Sequence, residues 1–283
     1  MDLVVHGGAV PTFLLERLLA ATGASAVVPR PPRAVRLSDA RRTPEFAALL
    51  PFIEAEKLDW AFVDRNCKLS DFGLIAFDMD STLITIECID ELADFAGRKA
   101  EVSAVTEAAM RGELDYRASL HQRLALLAGL DARVLARVYN ERLALSPGAG
   151  ELLEAVRDAG LRSAIISGGF TYFTERLRIE HGFDFATSNE LEIRGGRLTG
   201  RVVGDIVDAE AKGRHLARLT GELGLHREQV IALGDGANDL RMLGEAGLSV
   251  AYRAKPAIRA SADVAINFAG LDSLLNLLAP DRR

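Results

Sequence analysis

Residues 77–82 follow directly on the apolar run Leu74-Ile75-Ala76, and they contain two aspartates, Asp78 and Asp80, whose spacing suits chemistry on a charged substrate. A buried carboxylate is costly unless a cation or a donor answers its charge, and ligands bind at the carboxyl ends of strands in open α/β sheets. The pair therefore predicts a divalent-cation site, a nucleophile with an acid–base partner, or both. A calcium loop is excluded, because Leu83 and Ile89 stand where that loop needs glycine and glutamate.

Further polar groups recur along the chain in a regular order. Ser167-Gly168-Gly169 and the segment 234–239 each follow a short apolar run, and Lys212 lies between them. A hydroxyl with glycine amides, a lone cation and a second acidic cluster are the groups that bind phosphate and magnesium. Each alone is commonly a turn or a solvated side chain, but their order behind successive strands predicts a single site.

Hydrolysis of a phosphate monoester would give the acidic residues distinct roles. Asp78 would be the nucleophile that forms an acyl phosphate, and it needs a cation to screen its charge from the substrate. Mg²⁺ is the expected cofactor, because it prefers carboxylate and phosphate oxygens. The predicted ligands are Asp78, Asp235 and the backbone carbonyl of Asp80. The Asp80 side chain would act as general acid and then as base.

The remaining polar residues are expected to hold the phosphate and to orient its neighbours. Ser167, the Gly168 amide and Lys212 would bind the non-bridging oxygens, whose negative charge opposes attack. Asp239 lies one helical turn beyond Asp235, and it is expected to anchor a metal-bound water or to orient Lys212.

The elements that must position these residues indicate an α/β fold. Strands alternate with helices over residues 71–86 and 147–283, which predicts a doubly wound, mostly parallel, Rossmann-like core sheet. Within it, residues 191–203 are expected to form a hairpin that turns at Gly195-Gly196. Residues 87–146 show four stretches of helical periodicity, and they predict a helical cap inserted over the carboxyl edge of the sheet.

Residues 1–70 are predicted to form a separate, small α+β domain of βαββαβ order, the ferredoxin-like pattern. Helices are expected over residues 11–21 and 44–56, and a loop over Pro29–Pro32. No residue set in this domain predicts chemistry, so a regulatory role is one interpretation of it.

Composition excludes several classes of partner. The net charge is −6 and the pI is about 5.5, which argues against a nucleic-acid or anionic-membrane surface. Cys67 and Cys88 are the two cysteines, too few for a disulfide framework or a zinc site. There is no run of eighteen apolar residues and no basic, then apolar, amino terminus, so we expect a cytoplasmic protein. The oligomeric state is left open, with a homodimer as one possibility.

The motifs together resemble a known enzyme group. The segments 78–82, 167–170 and 234–239, together with Lys212, are similar to the motifs of the haloacid-dehalogenase superfamily, in particular of its members that hydrolyse phosphoserine. The similarity covers residues 73–270. It implies a small-molecule substrate, O-phosphoserine, and the last step of serine biosynthesis.

The resemblance also implies which residues read the substrate. Glu87 would meet the substrate ammonium and Arg123 its carboxylate. Tyr116 stands where the family usually has phenylalanine, and Arg123 follows it by seven residues, on the same helical face. The full set of expected substrate-binding residues is Glu87, Met110, Tyr116, Arg123, Ser167, Gly168, Gly169, Lys212 and Asn238.

Two other functions stay open at this point. One is a different small-molecule phosphatase, or a phosphotransferase that passes the phosphoryl group to an alcohol such as homoserine. The other is a magnesium-dependent phospho-acceptor module without turnover. Asp80 argues against the second, because a mere acceptor needs no acid for a leaving group. A serine hydrolase is unsupported, since the chain has no Gly-x-Ser-x-Gly.

Overall fold

The computed structural model describes residues 1–30, 33–110 and 113–279. The chain begins with a four-stranded antiparallel sheet of strand order β2-β3-β1-β4, with helices on one face. Its elements are β1 (Asp2–His6), α1 (Thr12–Thr22), β2 (Ala26–Arg30), β3 (Ala34–Ser38), α2 (Pro44–Ala47), α3 (Leu50–Ala55) and β4 (Asp59–Val63). The predicted βαββαβ order is thus confirmed.

Two details of this region differ from the sequence-based expectation. The helix expected over residues 44–56 is two short helices, because Pro51 has no N–H to donate to the turn before it and begins α3 instead. The loop expected at Pro29–Pro32 starts later, since Pro29 lies inside β2. β2 is an edge strand, where proline is tolerated. Pro31 and Pro32 lie outside the described residues.

The central strand β1 of this small sheet is buried on both faces. Leu3 and Val5 pack with the helices α1 to α3, whereas Val4 and Ala61 belong to the same apolar cluster as residues 264–278 at the end of the chain. This alternation is the two-residue period of a strand. Arg36, also buried, donates from Nη2 to the carbonyl oxygen of Leu277 at 2.6 Å. The amino-terminal sheet is therefore packed on the rest of the molecule.

One carboxylate fixes a loop at this interface. Asp59, at the start of β4, is buried and accepts hydrogen bonds from the backbone N–H groups of residues 267–269, at 2.7 to 2.9 Å. Two residues on, the N–H of Leu271 donates to the carbonyl oxygen of Pro147 at 2.7 Å. The amino-terminal sheet thus holds the loop at residues 267–271. This loop in turn is hydrogen-bonded to Pro147, where the helical insertion rejoins the core.

The insertion follows the first strand of the core, β5 (Leu74–Phe77). Its four helices, hereafter the cap, are α4 (Cys88–Phe95), α5 (Lys99–Met110), α6 (Tyr116–Ala125) and α7 (Arg133–Glu141). Asp115 caps α6 by accepting the N–H of Ala118 at 2.7 Å.

The core sheet has seven strands in the order β11-β10-β9-β5-β6-β7-β8, all parallel except β8. The elements after the cap are α8 (Ala149–Asp158), β6 (Arg162–Phe170), α9 (Thr171–His181), β7 (Phe185–Arg194), β8 (Arg197–Val203), α10 (Ala209–Glu222), β9 (Val230–Gly234), α11 (Leu240–Gly244), β10 (Leu248–Tyr252), α12 (Pro256–Arg259), β11 (Val264–Ile266) and α13 (Leu274–Leu277). This is the doubly wound sheet that the sequence predicts. The chain leaves β5 toward β6 and later returns to β9 on the other side, so the strand order reverses beside β5.

The hairpin of β7 and β8 turns at Gly195-Gly196, as predicted, with φ of 56° and 75°. Such positive φ values suit a tight two-residue hairpin turn and favour glycine. Beyond the turn, Leu198 accepts a hydrogen bond from the N–H of Gly129 at 2.8 Å and donates to the carbonyl oxygen of Leu130 at 2.9 Å. The hairpin therefore fastens the loop after α6. No helix within the described parts of the chain is both long and apolar enough to span a membrane.

Candidate active site

Three aspartates meet where β5 and β9 end side by side. Asp78 follows β5 and donates its N–H to the carbonyl oxygen of Leu233 at 2.9 Å, while Asp235 follows β9. With Asp239 they form a group whose ligand oxygens all lie within 4.8 Å of one another. Parallel strands thus bring together acidic residues that lie more than 150 positions apart in the sequence.

Lys212 links two of these carboxylates. It lies in the first turn of α10 with 1% of its side chain exposed, and its Nζ donates to Asp78 Oδ1 at 2.7 Å and to Asp239 Oδ1 at 2.6 Å. The other oxygen of Asp239 accepts the N–H groups of Asp235 and Gly236, at 3.1 and 3.0 Å. Asp239 therefore bridges Lys212 and the turn that follows β9.

The cluster carries more negative charge than Lys212 can balance. Burial, reinforced by Asp239, raises the pKa of Asp78 to about 7, although Lys212 acts in the opposite direction. Burial, together with Asp78 and Asp239, raises the pKa of Asp235 to about 8. Burial tends to lower the pKa of Lys212, but the two carboxylates outweigh it and raise this pKa. Such a set of oxygen donors fits a divalent cation, whose charge would compensate the carboxylates.

Asp235→Asn should weaken cation binding, because an amide oxygen carries no net charge. We expect the dissociation constant for Mn²⁺, used as a probe and measured by isothermal titration, to rise by more than the about 10–100-fold typical of losing an outer-shell partner. Asp184→Asn is the matched control, since Asp184 binds Arg162 and the N–H of Ser163 away from the cluster. Equal affinities in the wild type and Asp235→Asn would exclude Asp235 as a ligand.

Asp80 lies in the turn that follows Asp78, where its Oδ1 accepts the N–H of Cys88 at 3.3 Å. Burial raises its pKa well above the ordinary value, and the charges of Glu87 and Asp78 add to the shift. A shift in this direction favours the protonated carboxyl group, which is the form that a general acid needs. Ser81, at the bend of this turn, has φ of 57° and donates its hydroxyl proton to Glu87 Oε1 at 2.6 Å.

The Ser167-Gly168-Gly169 segment borders the same space. β6 extends beyond the apolar run that precedes Ser167 and continues through Ser167-Gly168-Gly169 to Phe170, with a register irregularity after Ile166. Ser167 is buried, and its Oγ accepts the N–H of Gly169 at 2.9 Å. A Cβ on Gly169 would lie 2.5 Å from the Met79 side chain and 3.1 Å from Asp80 Oδ2, so this close approach needs glycine.

The cap brings further predicted residues to the site. The Tyr116 hydroxyl donates to the carbonyl oxygen of Gly168 at 3.2 Å, and burial raises the pKa of Tyr116 to about 12. Arg123 donates to the Ser119 carbonyl oxygen at 3.4 Å. Partial burial raises the pKa of Glu87, and the positive charge of Arg123 opposes this rise. Glu87 remains accessible to solvent at the mouth of this space.

Two other predicted residues are less closely engaged. Asn238 is half-buried in the turn after β9, in the same turn as Asp235. The side chain of Met110 lies outside the described residues.

Two buried side chains at the site were missed in the sequence. Asn189 in β7 donates from Nδ2 to the Gly168 carbonyl oxygen at 2.7 Å and accepts the N–H of Val207 at 2.8 Å, which ties β6 to the segment before α10. Thr82 donates to Asp235 Oδ1 at 3.2 Å and so joins the two acidic turns. Thr82 could have been found from its place in the Asp-x-Asp-x-Thr pattern of residues 78–82. For Asn189 the signal is weaker: its amide side chain stands just before the strand predicted to begin at residue 191.

Comparison with known proteins agrees with this geometry. The family model of the haloacid dehalogenase-like hydrolases matches residues 75–244. A phosphoserine phosphatase from Polaromonas sp. is 60% identical over 218 residues, which are 75% of this chain and 92% of that protein. The crystal structure of a probable phosphoserine phosphatase from Vibrio cholerae superposes with a TM-score of 0.84 at 39% identity, over 98% of this chain and 86% of that one. The structure of a substrate-bound phosphoserine phosphatase superposes with a TM-score of 0.69 at 36% identity, over 73% of this chain and 98% of that one.

Proposed function

This chain belongs to the haloacid dehalogenase-like hydrolases, and we propose that Asp78 is its nucleophile in the hydrolysis of O-phosphoserine to serine and phosphate. The reaction is the last step of serine biosynthesis. The observation that carries the proposal is the placement of a buried, cation-paired carboxylate, Asp78, two residues before a second carboxyl group, Asp80, whose surroundings raise its pKa. A nucleophile and a leaving-group acid at one strand end are what turnover requires.

The chemistry proceeds in two displacements. Asp78 attacks phosphorus and forms a phospho-aspartyl group, while the bond from phosphorus to the serine oxygen breaks and Asp80 gives its proton to that oxygen. Asp80 then takes a proton from a water molecule, which attacks phosphorus and releases phosphate and free Asp78. Bound Mg²⁺ would screen the negative charges of the carboxylate and the phosphate. Asp78, Asp235 and the backbone carbonyl of Asp80 would hold it.

The phosphate oxygens would be held by Ser167, the Gly168 amide and Lys212. Because Ser167 Oγ already accepts the Gly169 N–H, its own proton is available to the phosphate. The Gly168 carbonyl accepts hydrogen bonds from both Tyr116 and Asn189, and these two bonds hold in place the residue whose own N–H would bind the phosphate. The donors are thus set before the substrate binds, as electrostatic stabilisation of a transition state requires.

The cap would read the amino-acid part of the substrate. Phosphoserine carries an ammonium and a carboxylate beside its phosphate, and Glu87 and Arg123 present the complementary charges over the site. Arginine suits a carboxylate because its guanidinium binds two oxygens at once. Asn238 and Met110 complete the proposed substrate-binding set.

We further propose that the three parts of the chain have the roles that the sequence suggests. Residues 71–86 and 147–283 would form the catalytic core, residues 87–146 the substrate-reading cap, and residues 1–70 a domain without a part in the chemistry. Cytoplasmic action fits two free cysteines, Cys67 and Cys88, of which Cys88 is buried.

Arg123→Ala should lower kcat/KM for phosphoserine about 30-fold to several-thousand-fold, because losing one partner of a desolvated charge pair costs about 2–5 kcal/mol. The same variant should change little on p-nitrophenyl phosphate, which has no carboxylate to bind. The measurement is the ratio of the two activities in the wild type and the variant.

The matched control is Arg133→Ala, which removes a cap arginine that is 90% exposed and paired with Asp131. It should leave the ratio unchanged. If Arg123→Ala lowers kcat/KM equally on both substrates, Arg123 supports the structure or the chemical step. The cap would then offer no argument that phosphoserine is the substrate.

A further inference from the structure

Within the described residues, an ion pair between Arg117 and Asp208 joins the cap to the core. Arg117, in the first turn of α6, donates from Nε to Asp208 Oδ2 at 2.7 Å and places Nη2 2.6 Å from the same oxygen. Asp208 is the residue that caps α10, since its other oxygen accepts the N–H of Ala211 at 2.9 Å. Asp208 Oδ1 therefore caps α10, while Asp208 Oδ2 binds Arg117 across the interface between the cap and the core.

The pair lies beside the residues proposed to bind the phosphate. Tyr116, the neighbour of Arg117, contacts the Gly168 carbonyl next to Ser167, and Asp208 begins the helix that carries Lys212. Two consecutive cap residues thus contact two different core elements, the end of β6 and the start of α10. When these contacts are made, the cap covers the phosphate-binding side of the site.

The other end of α6 is fastened in a different way. There the loop at residues 129–130 forms backbone hydrogen bonds with Leu198 of the hairpin, and a side-chain substitution does not remove them. Over the site, by contrast, the Arg117 guanidinium supplies the charged contact. That end is therefore the one a side-chain change can release.

The exposure of the pair suggests how strong it is. The Arg117 side chain is 53% exposed and that of Asp208 is 17% exposed. Exposed pairs of this kind contribute about 0.2–1 kcal/mol and weaken with salt. A cap over such a site must close to position the substrate and then open to release the products, so a weak contact suits a cap that cycles.

We propose that Arg117 and Asp208 form a latch that holds the cap closed over any phosphate monoester in the site. Both are positioning residues, because they act through the closed state of the cap. The inference rests on the proposed phosphatase activity, but it does not depend on phosphoserine being the substrate. A latch differs from a residue that reads the substrate in one measurable way: it changes the KM of all phosphate monoesters alike.

The test is a double-mutant cycle of Arg117→Gln and Asp208→Asn, assayed on phosphoserine and on p-nitrophenyl phosphate. Asparagine caps helices as well as aspartate does, so α10 keeps its cap in Asp208→Asn. Each single variant should raise KM about 2–5-fold on both substrates, with kcat and the melting temperature unchanged, and the double variant should raise it no further. Arg117→Lys should recover part of the effect.

Two controls separate the latch from a general effect of charge. Arg218→Gln removes an exposed ion pair with Glu222 on the same helix, within the core, and should leave KM unchanged. Rising salt should raise KM in the wild type more than in the variants. Hydrogen exchange at the first turn of α6 should increase equally in both single variants and in the double variant, a readout that needs no activity.

Several outcomes would overturn the latch. Unchanged KM and unchanged exchange in the single variants would do so, as would additive effects in the double variant. A rise in KM for phosphoserine alone would make Arg117 a substrate-reading residue instead. A wild-type protein inactive on both substrates would refute the proposed function, while the exchange data would still decide whether the pair holds the cap.

Discussion

Replacing Asp78 with asparagine is expected to abolish phosphoserine hydrolysis, with a fall in kcat of about 10⁴-fold or more, as is typical when a covalent nucleophile is removed. An amide is a poor nucleophile and a weak ligand for a divalent cation. It nevertheless keeps the shape of aspartate, and its oxygen can still accept a hydrogen bond from Lys212, whose Nζ lies 2.7 Å from Asp78 Oδ1 in the wild type. The measurement is phosphate release at saturating substrate and Mg²⁺.

The fold should not account for this loss. The melting temperature of Asp78→Asn should match or exceed that of the wild type, because the substitution removes one of the crowded buried charges. In the wild type, beryllofluoride, a mimic of the phosphoryl group, should occupy Asp78, and the variant should not bind it. Turnover close to that of the wild type, or a covalent phosphate on a different residue, would refute the assignment.

Lys212→Met should cost both stability and activity. Methionine fills a similar volume but leaves Asp78 and Asp239 buried without the cation that each now contacts. Removing one partner of a buried ion pair destabilises a protein by about 3–5 kcal/mol. Activity should also fall by about 10²–10³-fold or more, because the phosphate loses a preorganised positive charge. Urea unfolding in EDTA measures the first effect, and initial rates measure the second.

Lys99→Met is the matched control, because Lys99 is exposed at the start of α5 and its loss should stay within about 0.5 kcal/mol. Saturating divalent cation should restore part of the stability of Lys212→Met, since the ion supplies charge to the same carboxylates. If Lys212→Met unfolds at the same urea concentration as the wild type, the lysine is not needed to stabilise the two buried carboxylates.

Much of the fold follows from local patterns in the sequence. The strand–helix alternation predicts the core sheet, and the Gly195-Gly196 turn predicts the hairpin, because each depends on residues that are close in sequence. The division of one expected helix at Pro51 and the extension of β6 to Phe170 were not predicted. The β6 extension depends on pairing with β7, for which residues 167–170 carry no local signal.

The site shows the same limit. The types and order of Asp78, Ser167, Lys212 and Asp235 are enough to indicate phosphate chemistry, since parallel strands bring their ends to one edge. The contacts of Lys212 with two particular carboxylates depend on how α10 packs, and this is set by the fold. Asn189 was missed for the same reason, because its partners at Gly168 and Val207 are 21 and 18 residues away.

The packing of β4 against β11 has a consequence for association between copies of the chain. Both are outer strands of their sheets, and an outer strand with free N–H and C=O groups invites pairing with another molecule. Here each shields the other, and the loop after α6 covers part of β8 at the opposite edge. We therefore expect the amino-terminal sheet to limit pairing between copies of the chain at this edge of the core sheet, an effect that needs no residue of the active site.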